Sequence, residues 1–392
     1  MLNHTIAVTG INVKSIPERW APSLVIVIGL AGVVAVFTAL LAMATGFEKT
    51  LKATGRADVA IVLRGGSQAE LNSAFDLDSS ALIKQAQGVR VGADGKPVAS
   101  AEIMVIAELL RGDGTKDASS ITVRGVDPEG FVMRPQLKVV EGRNFTPGLR
   151  ELIVGRGVTR QFAGVGLGKV IRMRGSDWTV VGIFESADAN ESELWTDINV
   201  ARNTFSRPGS SSVRLALDGP DGLDKVKASL SADPRLTVDV MSEQDYFSSQ
   251  TKQFRQTIGT VAGVVTIIMA LGAVFAALNS MYAAVATRSK EIATLRAIGF
   301  GGGPVLLSVM IEALLLALVG GLLGAAIAYV LFNGLSVSTM GQSFTQVVFN
   351  FKVTPELVAW GLTISVVIGM VGGLLPAIRA ASLPVTTGLR EL

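Results

Sequence analysis

Catalysis needs groups that move protons, hold metals or cradle phosphate, and this sequence of 392 residues offers few of them. A phosphate loop requires Gly, four residues, Gly-Lys and then Ser or Thr, because backbone amides wrap the phosphate and the hydroxyl holds magnesium. Gly168-Lys169 comes nearest, but Val170 follows and Ala163 stands where the first glycine belongs; Gly95-Lys96 is followed by Pro97. ATP hydrolysis by this chain is therefore not expected, and the glycines of 164–168 read as a turn. The single histidine, His4, reads as a solvated residue, and with no cysteine the chain has no zinc-site pattern, disulfide or thiol nucleophile. Glu191/Glu193 and Asp221/Asp224 sit in polar stretches and read as solvated surface rather than acid–base pairs. The expectation is a non-catalytic chain with no cofactor or metal of its own.

The chemistry that remains is that of being gripped. Residues 288–299, Arg-Ser-Lys-Glu-Ile-Ala-Thr-Leu-Arg-Ala-Ile-Gly, form a charged, helix-prone island. Residues 256–287 before it carry no charge, and between Pro304 and Phe351 the only charge is Glu312. So short a segment between two membrane helices lies at one membrane surface and suits contact with a separate partner. Ile292, Leu295 and Gly299 share one face at helical spacing, with charges to fix register. Glu312 falls about eight residues into the next helix, roughly 12 Å at 1.5 Å per residue. It reads either as a coupling contact or proton relay, or as a carboxylate paired with a basic residue of 288–296; the pairing is favoured, because an isolated intramembrane charge is costly. Asn279 reads as an interhelical hydrogen bond.

Composition supplies the elements that position this island. The chain is 49% hydrophobic and 17% charged, against about 25% charged in soluble domains. Four apolar runs, 24–44, 258–286, 305–331 and 357–377, are each long enough to span a bilayer. The first exceeds a signal-peptide core and is expected to be retained. Small residues crowd the last two runs (Gly320, Gly321, Gly324, Ala328, then Gly369, Gly372, Gly373) and permit close helix packing, within one chain or between two. Lys and Arg around the short loops, Arg288, Lys290 and Arg296 with Lys14, Arg19, Arg379 and Arg390, favour cytoplasmic termini. A surplus of three positive charges without interleaved aromatics does not suggest nucleic-acid binding.

The expected order is a cytoplasmic segment 1–23 on the membrane surface, a first span 24–47, an exported α+β domain 48–255, a second span 256–287, a cytoplasmic helix and loop 288–303, a third span 304–334, a short exported loop 335–356, a fourth span 357–378 and a cytoplasmic tail 379–392. Within the domain, strands are expected at 58–64, 121–126, 152–154, 170–173, 178–184, 213–217 and 236–241, and helices at 79–87, capped by Ser79, and 220–230. A helix over 244–255 is expected to run into the second span.

Three blocks make the chain resemble the MacB/FtsX-like permeases, membrane subunits of the mechanotransmission ABC transporters. Asn279-Ser280-Met281 through Gly299, then Glu312 and Gly320-Gly321, looks like the family's second span, coupling helix and third span. Gly373-Leu-Leu-Pro376-Ala377-Ile-Arg379 through Pro384 is similar to its closing motif. Glu141-Gly142-Arg143-Asn-Phe145, Val154-Gly155, Val180 to Phe184 and Trp195 resemble the MacB-type periplasmic core. Ala293 departs from the Gly common after Glu-Ile. The resemblance implies a bacterial inner-membrane protein with four transmembrane helices (one plus three) and an exported domain of MacB periplasmic-core type. Two permeases, copies or paralogues, would pair within membrane lipid, each served by a cytoplasmic ATPase that binds ATP and Mg. Arg288, Glu291, Ile292, Leu295, Arg296, Ala297 and Gly299 would face that ATPase. Export with a periplasmic adaptor and outer-membrane channel is the first functional reading. Lipoprotein extraction, as in the similar LolC/LolE permeases, and FtsX-like signalling to a cell-wall hydrolase are the alternatives, and a two-span sensor plan fits poorly.

Overall fold

A computed structural model describes residues 20–110, 118–340 and 346–385; the expected surface segment with His4, and the end of the tail with Arg390, lie outside the described residues. The chain divides into two compact units. One draws on Met1–Thr45, Arg255–Leu335 and Phe351–Leu392, the other on Gly46–Phe254 and Ser336–Asn350.

In chain order the elements are α1 (Trp20–Thr54), β1 (Val59–Arg64), α2 (Leu77–Lys84), β2 (Ala99–Leu110), β3 (Ala118–Val126), α3 (Glu129–Val132), β4 (Lys138–Gly142), β5 (Glu151–Gly155), α4 (Arg156–Thr159), β6 (Val170–Met173), β7 (Ser176–Glu185), β8 (Glu193–Asp197), α5 (Ile198–Phe205), β9 (Ser212–Ala216), α6 (Gly222–Ser231), β10 (Val238–Ser242), α7 (Glu243–Thr287), α8 (Ser289–Ala297), α9 (Gly302–Phe332), β11 (Ser336–Met340), β12 (Gln346–Asn350) and α10 (Pro355–Ser382). The four longest helices, α1, α7, α9 and α10, are long and apolar enough to cross a membrane. The expected helix before the second span is continuous with it: α7 runs 45 residues without a break.

The α+β unit is built on a ten-stranded sheet in the order β10-β1-β9-β2-β3-β8-β5-β7-β4, with β6 beside β7. Pairing is antiparallel except at β3–β8 and β5–β7. Strand periodicity of two sorts the side chains. Ala60 and Val62 of β1, Ala101, Ile103 and Val105 of β2, Ile121 and Val123 of β3, and Val213 and Leu215 of β9 join one apolar core, which Ile83, Ile198, Ala201, Val226 and Leu230 of α2, α5 and α6 complete. The alternate residues, Glu102, Arg124 and Arg214 among them, face the other way.

Several elements differ from expectation. Strands β2, β4 and β8 and helix α5 were not expected, because β2 is alanine-rich with two glutamates and β8 (Glu-Leu-Trp-Thr-Asp) carries a charge at each end. Helix α2 starts at Leu77 and is capped by Asp76, whose Oδ1 accepts from the Ser79 amide at 2.6 Å, so Ser79 lies inside it. The region expected as a plain loop, 335–356, contains the antiparallel hairpin β11–β12.

In the helical unit the small residues meet neighbouring helices of the same chain. A Cβ at Gly320 would lie 2.9 Å from Leu30 Cβ, and one at Gly324 2.4 Å from the Ala31 carbonyl oxygen, so α9 touches α1. At Gly369 and Gly373 it would lie 2.5 and 2.6 Å from Ala317 and Ala313 of α9, and at Gly372 2.8 Å from Ala277 of α7. Ala328 is fully buried. Such contacts let helix backbones approach closely where lipid provides no hydrophobic drive. Gly324→Ala is expected to destabilise the protein by about 1–3 kcal/mol, as overpacking does, and to lower its thermal midpoint in detergent. Gly303→Ala, whose Cβ meets nothing within 4 Å, is expected to leave that midpoint unchanged or slightly raised.

Candidate functional site

The second face of the large sheet is lined by charge. Glu102 of β2, Arg124 of β3, Glu193 of β8 and Arg214 of β9 all point to it, joined by Glu70 from the 3-10 turn Glu70–Asn72, Arg134 after α3, and Glu243, the first residue of α7. All seven are buried; Arg214 is 1% exposed and Glu102 0%. Arg124 holds Glu193 in a fork, Nε to Oε2 at 2.6 Å and Nη2 to Oε1 at 2.8 Å, and its Nη1 reaches Glu70 at 3.0 Å and Glu102 at 2.8 Å. Arg134 Nη1 donates to Glu102 Oε1 at 2.8 Å, and its guanidinium lies 4.9 Å from the Trp195 ring centre. Arg214 Nε donates to Glu243 Oε1 at 2.6 Å, while its Nη1 donates to Glu70 at 2.9 Å and also to Glu102. Ser212 Oγ and Trp195 Nε1 supply further donors to Glu70 and Glu193.

Burial alone would raise the carboxyl pKa of Glu70, but the Arg124 and Arg214 guanidiniums beside it hold it well below the carboxylate range. Glu102 is likewise held below that range against its burial by Arg134, Arg214 and Arg124. Burial works against the charge of Arg214, yet Glu102 and Glu70 raise its pKa above the ordinary value. Three guanidiniums therefore face four carboxyl groups, and Glu70 and Glu102 are stabilised in their ionised form by bonds that water would otherwise supply. Sequence reasoning missed this site and assigned Glu193 to solvated surface. The correction has a simple cause: its partners lie on other strands, and one residue's chain neighbours do not reveal them. Asp221 and Asp224 are exposed, as expected.

The same unit gathers the chain segments that lead into and out of the helical unit. Phe47 of α1 lies 4.0 Å from Phe254 of α7 and 5.4 Å from Phe349 of β12, measured between ring centroids. Thr54 Oγ1, at the end of α1, accepts from the Ala189 amide at 3.0 Å, and Ser192 Oγ accepts from the Val348 amide at 2.7 Å. Asp188, between those two ties, is buried; burial pushes its carboxyl up, against hydrogen bonds from Ser186, Gln136 and Asn190.

In the helical unit, the charged island folds as α8, and Gly299 follows it with φ +105°, a left-handed stop that suits only glycine. The structure divides the residues singled out there. Arg288 and Ile292 turn inward: Arg288 Nη1 lies 3.4 Å from Glu312 Oε2, with a second bond from Nε to Glu291 at 3.2 Å, and Ile292 packs in the bundle core. Glu312 is thus paired with a basic residue of this island. Leu295 and Arg296 are half-buried, and Arg296 Nη1 donates to the Leu383 carbonyl. Glu291, Ala297 and Gly299 are exposed, together with Lys290, Thr294 and Ile298, the last 71% exposed. Ile292 therefore does not share an outward face with Gly299. Asn279 is exposed on α7 and, among the described residues, makes no hydrogen bond to another helix. That role falls to Ser365 of α10, whose Oγ donates to the Ala317 carbonyl at 2.6 Å.

Comparison with known proteins matches residues 23–233 to the MacB-like periplasmic core domain and residues 263–385 to the FtsX-like permease C-terminal domain. A Bacillus subtilis relative, described as the uncharacterized ABC transporter permease YknZ, is 25% identical over 72% of this chain and 73% of its own length. The macrolide export ATP-binding/permease protein MacB of Chromobacterium violaceum is 26% identical over 71% of this chain, which spans 46% of that longer protein. Among solved structures, the extracellular domain of YknZ from Gram-positive bacteria aligns over 47% of this chain and 100% of its own, with 18% identity and a TM-score of 0.36.

A network with depressed carboxyl pKa values stabilises the fold fully above the unfolded glutamate value of about 4.3 and loses that contribution as pH falls below it toward the folded values. Glu102→Gln, which leaves buried guanidiniums short of a partner, is expected to cost about 3 kcal/mol near pH 7. Unfolding followed by tryptophan fluorescence should show this difference narrowing steadily below about pH 4.3, where the Glu102 carboxyl takes up a proton in the unfolded chain while the folded one stays ionised. A difference that stays constant down to pH 2 would contradict the ionised network.

Proposed function

This chain belongs to the MacB/FtsX-like ABC transporter permeases, and from that premise we propose that it converts ATP hydrolysis by a separate cytoplasmic ATPase into movement of its α+β domain on the far side of the inner membrane. The movement drives export of a substrate with a periplasmic adaptor and an outer-membrane channel. The observation that carries this reading is α7. Its first residue, Glu243, is bound by Arg214 in the charge network, and its last, Thr287, precedes Arg288 and the coupling helix α8. A helix without a break passes on tilt or displacement, and a fully paired buried anchor resists slipping.

At the ATPase end, the exposed residues of α8 offer a charged surface, Lys290 and Glu291, beside the apolar Ala297 and Ile298. The inward Arg288–Glu312 pair and Ile292 then fix α8 to the bundle, so that a push on the exposed face moves the spans with it. Cytoplasmic placement of α8 and of both termini follows from the positive charge around the short loops.

Pairing of two permeases finds support in α7 as well. Ile268, Leu271, Phe275 and Asn279 are exposed along it. A polar side chain on a bare membrane helix face is satisfied when a second helix brings a partner to it.

Two experiments test these assignments. Co-expression with the cognate ATPase should yield a complex whose ATP hydrolysis exceeds that of the ATPase alone. Glu291→Lys, on the exposed face, should return it to the unassisted level while leaving the permease folded; unchanged stimulation would remove α8 from the ATPase interface. The chain has no cysteine, so Asn279→Cys introduces a single thiol. Oxidation in membranes should give a disulfide-linked dimer, whereas Val330→Cys, on the exposed part of α9, should not.

A further inference from the structure

Outside the charge network, the α+β unit holds two adjoining clefts of complementary chemistry. The first, about 590 Å3, has Phe75, Leu77, Ile103 and Pro208 in its lining. The second, about 580 Å3, is lined by Asn199, Arg202, Asn203 and Ser206, and shares Leu77, Arg207 and Pro208 with the first. Both volumes fall in the range of small-molecule sites.

The clefts are built rather than incidental. Phe75 and Ser210 exchange both backbone hydrogen bonds, at 2.8 and 3.0 Å. Only glycine fits at 209, since a Cβ there would lie 1.6 Å from the Phe75 carbonyl oxygen. Ser206, left-handed at φ +53°, ends α5 and turns the chain into Arg207-Pro208. Arg202 is held by its own scaffold, Nε to the Gly209 carbonyl at 2.9 Å and Nη1 to Asn199 Oδ1 at 3.1 Å.

No carboxylate contacts the two arginines of this region among the described residues. Among the described residues, Arg202 is the only partly buried arginine of the unit that no carboxylate contacts; Arg56 and Arg156, also partly buried, each have an acidic partner. Arg207 is exposed and likewise has no carboxylate partner among the described residues. Burial lowers the Arg202 pKa, with Asp127 and Asp197 opposing only through longer-range attraction. No acid lines the second cleft. Asp76 and Asp78 border the first only, and the Asp76 carboxylate is engaged by the Ser79 amide.

We infer that this double cleft binds a single-chain anionic amphiphile, its acyl chain against Phe75, Leu77, Ile103 and Pro208 and its carboxylate or phosphate head on Arg202 and Arg207. A guanidinium pair beside amide donors supplies the charge-assisted bonds that such a head accepts. An apolar slot next to it removes the tail from water. The site stands independently of the transport reading, because every group it uses lies within the α+β unit.

The test uses the full chain in phosphatidylcholine nanodiscs, with hydrogen exchange followed by mass spectrometry. Decanoate below its micelle concentration should slow exchange over 73–80 and 199–211, and decyltrimethylammonium should not. Arg207→Glu, at an exposed position, should weaken the decanoate effect roughly tenfold or more, and Leu77→Asp should do the same by blocking the apolar slot, both with unchanged thermal midpoints. Equal protection by the two amphiphiles, protection by neither, or Arg207→Glu binding decanoate as well as the parent chain would overturn the assignment.

Discussion

A buried charge must be paired in full or the fold that buries it does not form, and that requirement organises the α+β unit. Three guanidiniums and four carboxylates occupy one face of the sheet, drawn from four neighbouring strands, a 3-10 turn, the loop after α3 and the start of α7. Each partner lies close enough to offset the desolvation of the others, so no single pair can be understood alone. Replacement by apolar residues could stabilise the domain as well. What ionic pairing adds is register: Arg124 and Arg214 fit only when β3, β8, β9 and α7 are placed together.

The helical unit solves a different problem with different chemistry. Lipid gives helices little reason to associate, so contact depends on shape, and glycines on α9 and α10 open room for α1, α7 and each other. Charge enters the interior of this unit sparingly, in the buried pair Arg288–Glu312, which joins the start of α8 to α9. Both units therefore use an arginine–glutamate contact to bind an end of a transmembrane helix to its surroundings, at Glu243 in one and at Arg288 in the other.

Legibility in the sequence followed the range of the interaction concerned. Four spans, the long helix into the second of them and most outer strands are local patterns of hydropathy and turn residues, and they were readable. Strands β2 and β8 were not, because Glu102 and Glu193 break the apolar alternation that marks a half-buried strand, and only their distant partners make them interior residues. The hairpin β11–β12 was hidden for a similar reason: Phe349 is buried against Phe47, far away in sequence. On α8, helical spacing placed Ile292, Leu295 and Gly299 on one face, but Ile292 is buried, Leu295 half-buried and Gly299 exposed beyond the helix end, because spacing does not say which side of a helix faces inward. Asn279 shows the converse limit, a polar residue whose expected partner is absent among the described residues of its own chain.

The place of Glu243 in the chain has a consequence for biogenesis. Synthesis delivers the network in order, Glu70 first and Glu243 last, and Glu243 opens the same helix that must enter the bilayer as the second span. Until it arrives, Arg214 lacks one of its three acidic partners and β10 has not yet closed the edge of the sheet beside β1. Maturation of the large domain is thus tied to insertion of the following helix, and a nascent chain stalled before that point would present unpaired charge and an open strand edge to quality-control proteases.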